Sequence, residues 1–136
     1  MNKMEREFVP YNQALKLKEL GFDEPCFGFY QLEYGEIRPI MVDDNEQYRL
    51  TGYRTCKNSE IPKHYTSAPT FSQCFRWFRE KYELFCWIEK FHVDETYIFQ
   101  IPPANFTKIQ GHYITYEEAE LACLDKLIEI VESKPE

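Results

Sequence analysis

Glycine is scarce in this 136-residue chain, with five in all. None falls in a GxGxxG or GxxxxGK arrangement, so the backbone cradles that hold nucleotide phosphates are not expected. No serine stands in GxSxG, the strand-to-helix elbow of many hydrolases. The cysteines are Cys26, Cys56, Cys74, Cys86 and Cys123. No two make a CxxC, so the short paired spacings of a structural zinc site are missing. Four of them fall within apolar segments, and Cys74 and Cys86 read as inert. The cysteines as a set read as reduced, mostly buried thiols of a cytoplasmic protein. No run approaches the ~18 apolar residues that span a bilayer. The opening MNKMEREFVPYNQ lacks the apolar core of a signal peptide, so no membrane association is expected. Positive charge is also short: 16 Lys and Arg stand against 23 Asp and Glu, a net charge of −7. Coating nucleic acid by charge alone is therefore disfavoured, because phosphate contacts need clustered cations.

Aromatic residues, by contrast, are plentiful. Ten Tyr and eleven Phe, with aromatics at 17% of the chain, argue against disorder over most of its length. At this size a single domain spanning 1–136 is expected. Its organising stretch is Ala68 to Phe91, APTFSQCFRWFREKYELFCWIEKF. Thr70-Phe71-Ser72-Gln73 matches a capping box, and Pro69 before it sharpens the helix start. Over Phe71 to Tyr82 the residues Phe71, Cys74, Phe75, Phe78 and Tyr82 form one apolar stripe. Trp77 lies off that stripe, either covering a second edge of the core or meeting a partner. Leu84 to Phe91 reads as a strand leaving the helix.

Before this stretch, Pro10 can open a helix at its first position and run to about Leu20. Gly21 reads as its left-handed terminator, with Phe22 supplying the apolar contact. Cys26 to Glu33 and Glu36 to Val42 read as paired strands, the second demoted to an edge or bulge by Pro39. Residues 43–69 show no usable period beyond a short candidate strand at Tyr48 to Arg54, and form a long irregular insertion. After it, His92 to Glu95 is a turn and Thr96 to Ile101 a returning strand. Thr115-Tyr116-Glu117-Glu118 caps a last helix to about Glu132, wet along Glu118, Asp125, Glu129 and Glu132. The similar helix starts PYNQA, TFSQC and TYEEA are best explained by shared capping chemistry and not by duplication. The expected architecture is α+β: an antiparallel sheet of four to five strands, with three helices packed mainly on one face.

Few residues suggest chemistry. His92, Asp94 and Glu95 would suit a metal or a proton shuttle, but a polar hairpin turn explains them as well. No cofactor and no catalytic residue are expected. The candidate contact residues for a partner are Tyr48, Tyr53, Arg54 and Tyr65 on the insertion, together with Trp77, because tyrosine and arginine are typical of interfaces. Arg76, Trp77, Arg79 and Lys81 form a second candidate, a basic aromatic face that would stack bases and follow phosphates, for instance of RNA.

Three stretches, VPYNQALKLKELGFDEPCF, APTFSQCFRWFREKYEL and YEEAELACLDKLIEIVE, carry a resemblance to small proteins of bacterial phages, prophages and mobile elements. The resemblance covers most of the chain outside 43–67. It transfers no site residue and implies a setting only. In that setting the expectation is a non-enzymatic binding protein. Its partner would be a host or competing-element protein or ribonucleoprotein, and inhibition of a defence nuclease, as by anti-CRISPR proteins, is one version. The alternatives are a small nucleic-acid-binding module and a homo-oligomeric structural protein.

Overall fold

The computed structural model describes residues 5–31, 40–41, 55–102 and 111–134. The chain divides into two compact units, 1–70 and 71–136.

In the first unit a short 3-10 turn at Glu5–Glu7 leads to Val9, whose N–H donates to the Pro69 carbonyl at 2.8 Å. Helix α1 spans Tyr11–Glu19, with Pro10 at the N-cap, one place before the position expected of it. Its end is a Schellman turn. Gly21 adopts φ +97°, its N–H donates to Lys18 at 3.0 Å, and the Phe22 N–H donates to Leu17 at 2.9 Å. Phe22 is 1% exposed, so the apolar contact expected after the glycine is formed.

Strands β1 (Gly28–Gln31), β2 (Ile40–Met41) and β3 (Tyr65–Ala68) make an antiparallel sheet in the order β2-β1-β3. Alternation along β1 turns Gly28 and Tyr30 inward and Phe29 and Gln31 outward. Tyr30 packs edge-on to Tyr11 of α1, and its hydroxyl donates to the Val9 carbonyl at 2.6 Å. Burial pushes that phenol up to about 12. Cys26 and Cys56 extend the pairing through reciprocal N–H to carbonyl bonds of 2.8 Å.

The second unit begins with α2 (Phe71–Tyr82), at the bounds its apolar spacing predicts. Phe71, Cys74, Trp77 and Phe78 are buried. The helix ends at Glu83, held at φ +56°, where the Glu83 N–H donates to Arg79 and the Leu84 N–H to Phe78, both at 3.1 Å. This left-handed exit delays the strand: β4 is Trp87–Phe91, not Leu84 onward. It pairs in antiparallel register with β5 (Thr96–Gln100), Trp87 opposite Gln100 and Phe91 opposite Thr96. On its other side Tyr97 exchanges backbone bonds with Tyr113. Helix α3 (Tyr116–Glu132) is capped by Thr115, whose hydroxyl accepts from the Glu118 N–H at 3.1 Å. Ala119, Cys123, Leu124, Leu127 and Ile128 are its buried stripe, packed toward α2, β4 and β5. Glu118, Asp125, Glu129 and Glu132 are exposed, as their spacing predicts.

The α+β class and the three helices are as expected, but the single sheet of four to five strands is not. Among the described residues there are two separate antiparallel sheets, of three and two strands. The reason lies in residues 55–69, expected to be irregular. They contain the Cys56 bridge, a 3-10 turn at Asn58–Glu60 and β3. Strand β3 occupies the edge of β1 opposite β2, and Tyr113 occupies the edge of β5 opposite β4. Nor do the helices share one face of a common sheet: α1 packs on β3, and α3 packs on β5 and β4.

The two left-handed positions should respond oppositely to substitution. Gly21→Ala is expected to cost ~1 kcal/mol, because a Cβ is strained at positive φ. Glu83→Gly should be neutral or stabilising by up to ~1 kcal/mol, because it relieves the same strain. The midpoints of urea unfolding check both.

Candidate functional site

The expected contact residues do not form one cluster in the described structure. Tyr48, Tyr53 and Arg54 lie outside the described residues. Tyr65, at the start of β3, is half-buried and stacked on Phe29, ring centroids 5.4 Å apart, with His64 edge-on at 4.5 Å. Trp77 is 7% exposed. Its ring meets Phe78 and Tyr82 edge-on at 5.1 and 5.4 Å, and the Lys81 ammonium lies 5.1 Å from its centroid. A ring covered in this way has little face to offer a base or a partner side chain.

Arg76, Arg79 and Lys81 are exposed on α2, as a basic face requires. Glu80 and Glu83 are exposed among them, so the local charge is mixed. Among the described residues this helix therefore has neither the uniform positive charge nor the open aromatic ring of a stacking platform.

The polar residues of the β4–β5 turn form a chain of hydrogen bonds. Asp94 Oδ1 accepts from the Thr96 N–H at 3.1 Å and from the Thr96 hydroxyl at 2.6 Å. With its proton committed to Asp94, Thr96 Oγ1 accepts from His112 Nδ1, 2.9 Å away. His112 also stands edge-on to Phe91 at 5.0 Å and 3.6 Å from Asp94 Oδ2. The hydroxyl lies between imidazole and carboxylate. A nucleophilic triad instead needs the imidazole between the other two, so Thr96 is not set up as a nucleophile. Glu95, at φ +58°, pairs with Lys90 at 3.5 Å, and His92 is exposed in the turn. The three residues considered for a metal thus turn to different partners. Among the described residues no group of three His, Cys, Asp or Glu is placed to hold a metal ion. The network fastens the hairpin to the segment before α3.

The cysteines fall into two kinds. Cys26 and Cys56 are 0% and 6% exposed, and burial pushes their thiols up to about 12 and about 11. Cys74 is fully buried. Cys86, between α2 and β4, is only half-buried, and its thiol shares a hydrogen bond with that of Cys123 on α3. That bond, aided by the nearby Arg79 guanidinium, holds Cys86 below the ordinary thiol range although burial opposes it. Cys123 is pushed far up by the same bond and by burial. The apolar sequence around Cys86 suggests an inert thiol. The structure overturns this, because the activating groups come from other elements.

Large apolar side chains are exposed mostly in the second unit. Phe85 is 53% and Trp87 45% exposed at the entry to β4, Val93 is exposed at the hairpin turn, and Ile114 and Tyr116 are exposed at the start of α3. The Trp87 indole N–H donates to Glu89 at 3.2 Å. Neither aromatic was singled out from the sequence, where Trp87 reads as strand core. Their signal was the odd-numbered register Phe85, Trp87, Glu89, which alternates with half-buried Cys86 and Ile88.

Among the described residues no helix is long and apolar enough to cross a membrane. Compared with protein-family models, curated proteins and solved structures, the chain has no match.

The Asp94 network makes a prediction. Hydrogen bonds from the Thr96 hydroxyl and N–H hold the Asp94 carboxyl below its ordinary 3.8. A depressed carboxyl contributes stability above its unfolded value and loses it as pH falls through the folded one. The carbon-detected titration of Asp94 should therefore have its midpoint below 3.8, and Thr96→Val should move it upward. Equal midpoints in the two proteins would contradict the hydroxyl's role.

Proposed function

We propose that the chain is a non-enzymatic binding protein whose contact surface is centred on Phe85 and Trp87. The observation that carries this reading is the exposure of two large aromatics two residues apart, beside a well-packed helix pair. Water contact with this much aromatic surface is unfavourable, and exposed clusters of this kind commonly mark docking sites. The exposed carboxylates of Glu83 and Glu89 flank the pair, and the chain carries a net charge of −7. The partner that fits is a protein with an apolar pocket rimmed by lysine or arginine. In the phage or mobile-element setting implied by the resemblance, that partner is a host or competing-element protein or ribonucleoprotein. Inhibition of a defence nuclease is the version we favour.

This reading moves the contact surface away from Trp77, whose ring is covered, and keeps the acidic character of the chain as part of recognition. The nucleic-acid reading rests on the exposed Arg76, Arg79 and Lys81 and is weakened by Glu80 and Glu83 beside them.

Capture by the tagged chain from bacterial lysate, with and without RNase, compares wild type with the Phe85→Ala/Trp87→Ala double variant. The expected result is a protein partner that survives RNase and is lost, by roughly tenfold or more, with the double variant. A partner retained by the double variant would overturn the assignment of the surface. A partner that disappears with RNase, or with Arg79→Ala, would turn the reading to nucleic acid. A sedimentation mass that is a multiple of 16.4 kDa in the absence of partner would favour the homo-oligomer.

A further inference from the structure

The geometry points to Cys86 and Cys123 as a peroxide-reactive dithiol, a site of reversible oxidation that closes a disulfide between the α2–β4 connection and α3. Three features of the second unit converge there. Cys86 is half-buried, so a small oxidant can reach it, while Cys123 is fully buried behind it. The two thiols already share a hydrogen bond, so one sulfur can meet the other with little backbone movement. Arg79, exposed on the last turn of α2, places a guanidinium near Cys86. A cation and a donated hydrogen bond both favour the thiolate, the form that attacks. The remaining groups near the pair are Tyr116 and Glu120 of α3, whose charges act against ionisation of the buried Cys123. The proton is therefore kept on Cys123 and leaves Cys86.

The chemistry balances with a small hydroperoxide as oxidant. The Cys86 thiolate attacks the nearer peroxide oxygen. An S–O bond forms, the O–O bond breaks, and the departing oxygen takes a proton to leave as water or an alcohol. The sulfenic acid on Cys86 is then attacked by the Cys123 sulfur. The S–S bond forms, the S–O bond breaks, and the hydroxyl leaves as water with the Cys123 proton. Two thiols are oxidised by two electrons, and one peroxide is reduced. Thiol reductants reverse the product by exchange.

Cys26 and Cys56 are a control inside the same chain. They too stand opposite one another, paired through their backbone, but both are buried, both are pushed up, and no cation is among the groups acting on either. Proximity alone is present in both pairs, whereas access and activation are present only at Cys86.

The test treats the folded, full-length chain with hydrogen peroxide and maps the peptides by mass. The wild type should lose two hydrogens, yield a Cys86–Cys123 cross-linked peptide, and return to the starting mass with dithiothreitol. In Cys123→Ala the resolving thiol is absent, so Cys86 should gain one oxygen and react with dimedone. In Cys86→Ser neither product should form at Cys123. Alkylation by iodoacetamide should label Cys86 roughly tenfold or more faster than Cys26, Cys56 or Cys74. Because alkylation uses the unmutated protein, it remains decisive if a variant folds poorly. Oxidation that yields no Cys86–Cys123 peptide, or labelling of Cys86 at the rate of the buried cysteines, overturns the proposal.

Discussion

A helix can bury its apolar stripe only if the chain leaves it in a direction that lets the next element pack beside it. Both α1 and α2 solve this with a residue in the left-handed region, Gly21 at φ +97° and Glu83 at φ +56°. In each case the next residue, Phe22 or Leu84, is buried, and its N–H donates to a carbonyl of the helix's last turns. The consequences reach further than the turns themselves. After Gly21, the Phe22 carbonyl accepts from Asn58, whose own side-chain oxygen accepts from the Ser67 N–H of β3. After Glu83, the connection carries Cys86 to Cys123 and presents Phe85 and Trp87 to solvent. The two exits differ in chemistry. Glycine adopts positive φ without penalty, whereas glutamate is strained there and is held by packing.

The first unit shows how a polar segment can be structural. The run TCKNSEIPKHYTSAP has no hydrophobic period because side-chain hydrogen bonds, more than apolar packing, hold much of it in place. Asn58 links the end of α1 to β3, Asp23 accepts from the Ser59 N–H, and Lys18 donates to the carbonyls of Lys63 and Tyr65. Bonds over such sequence separations have no signature in local pattern.

The second unit places two unlike features side by side. The aromatics proposed for docking flank Cys86, the cysteine proposed for oxidation, in the sequence Phe85-Cys86-Trp87. A disulfide to Cys123 would tie this connection to α3 and restrict the backbone from which both rings project. Oxidation state and partner contact would then be linked through three consecutive residues.

What the sequence by itself determined is what depends on local physics. The bounds of α2, the capped start and acidic ridge of α3, the glycine terminator of α1 and the β4–β5 hairpin all follow from spacing and from short-range caps and turns. These interactions span only a few residues, so the chain displays them directly. Tertiary structure alone decided which strands pair, that they make two sheets and not one, that Trp77 is covered while Trp87 is not, and that Cys86 meets Cys123 and Arg79. Each of these depends on groups far apart along the chain. A four-residue strand such as Tyr65–Ala68 has too few side chains to announce its partner. The reactivity of a thiol depends on which charges and donors surround it, and those are known only once the helices have packed.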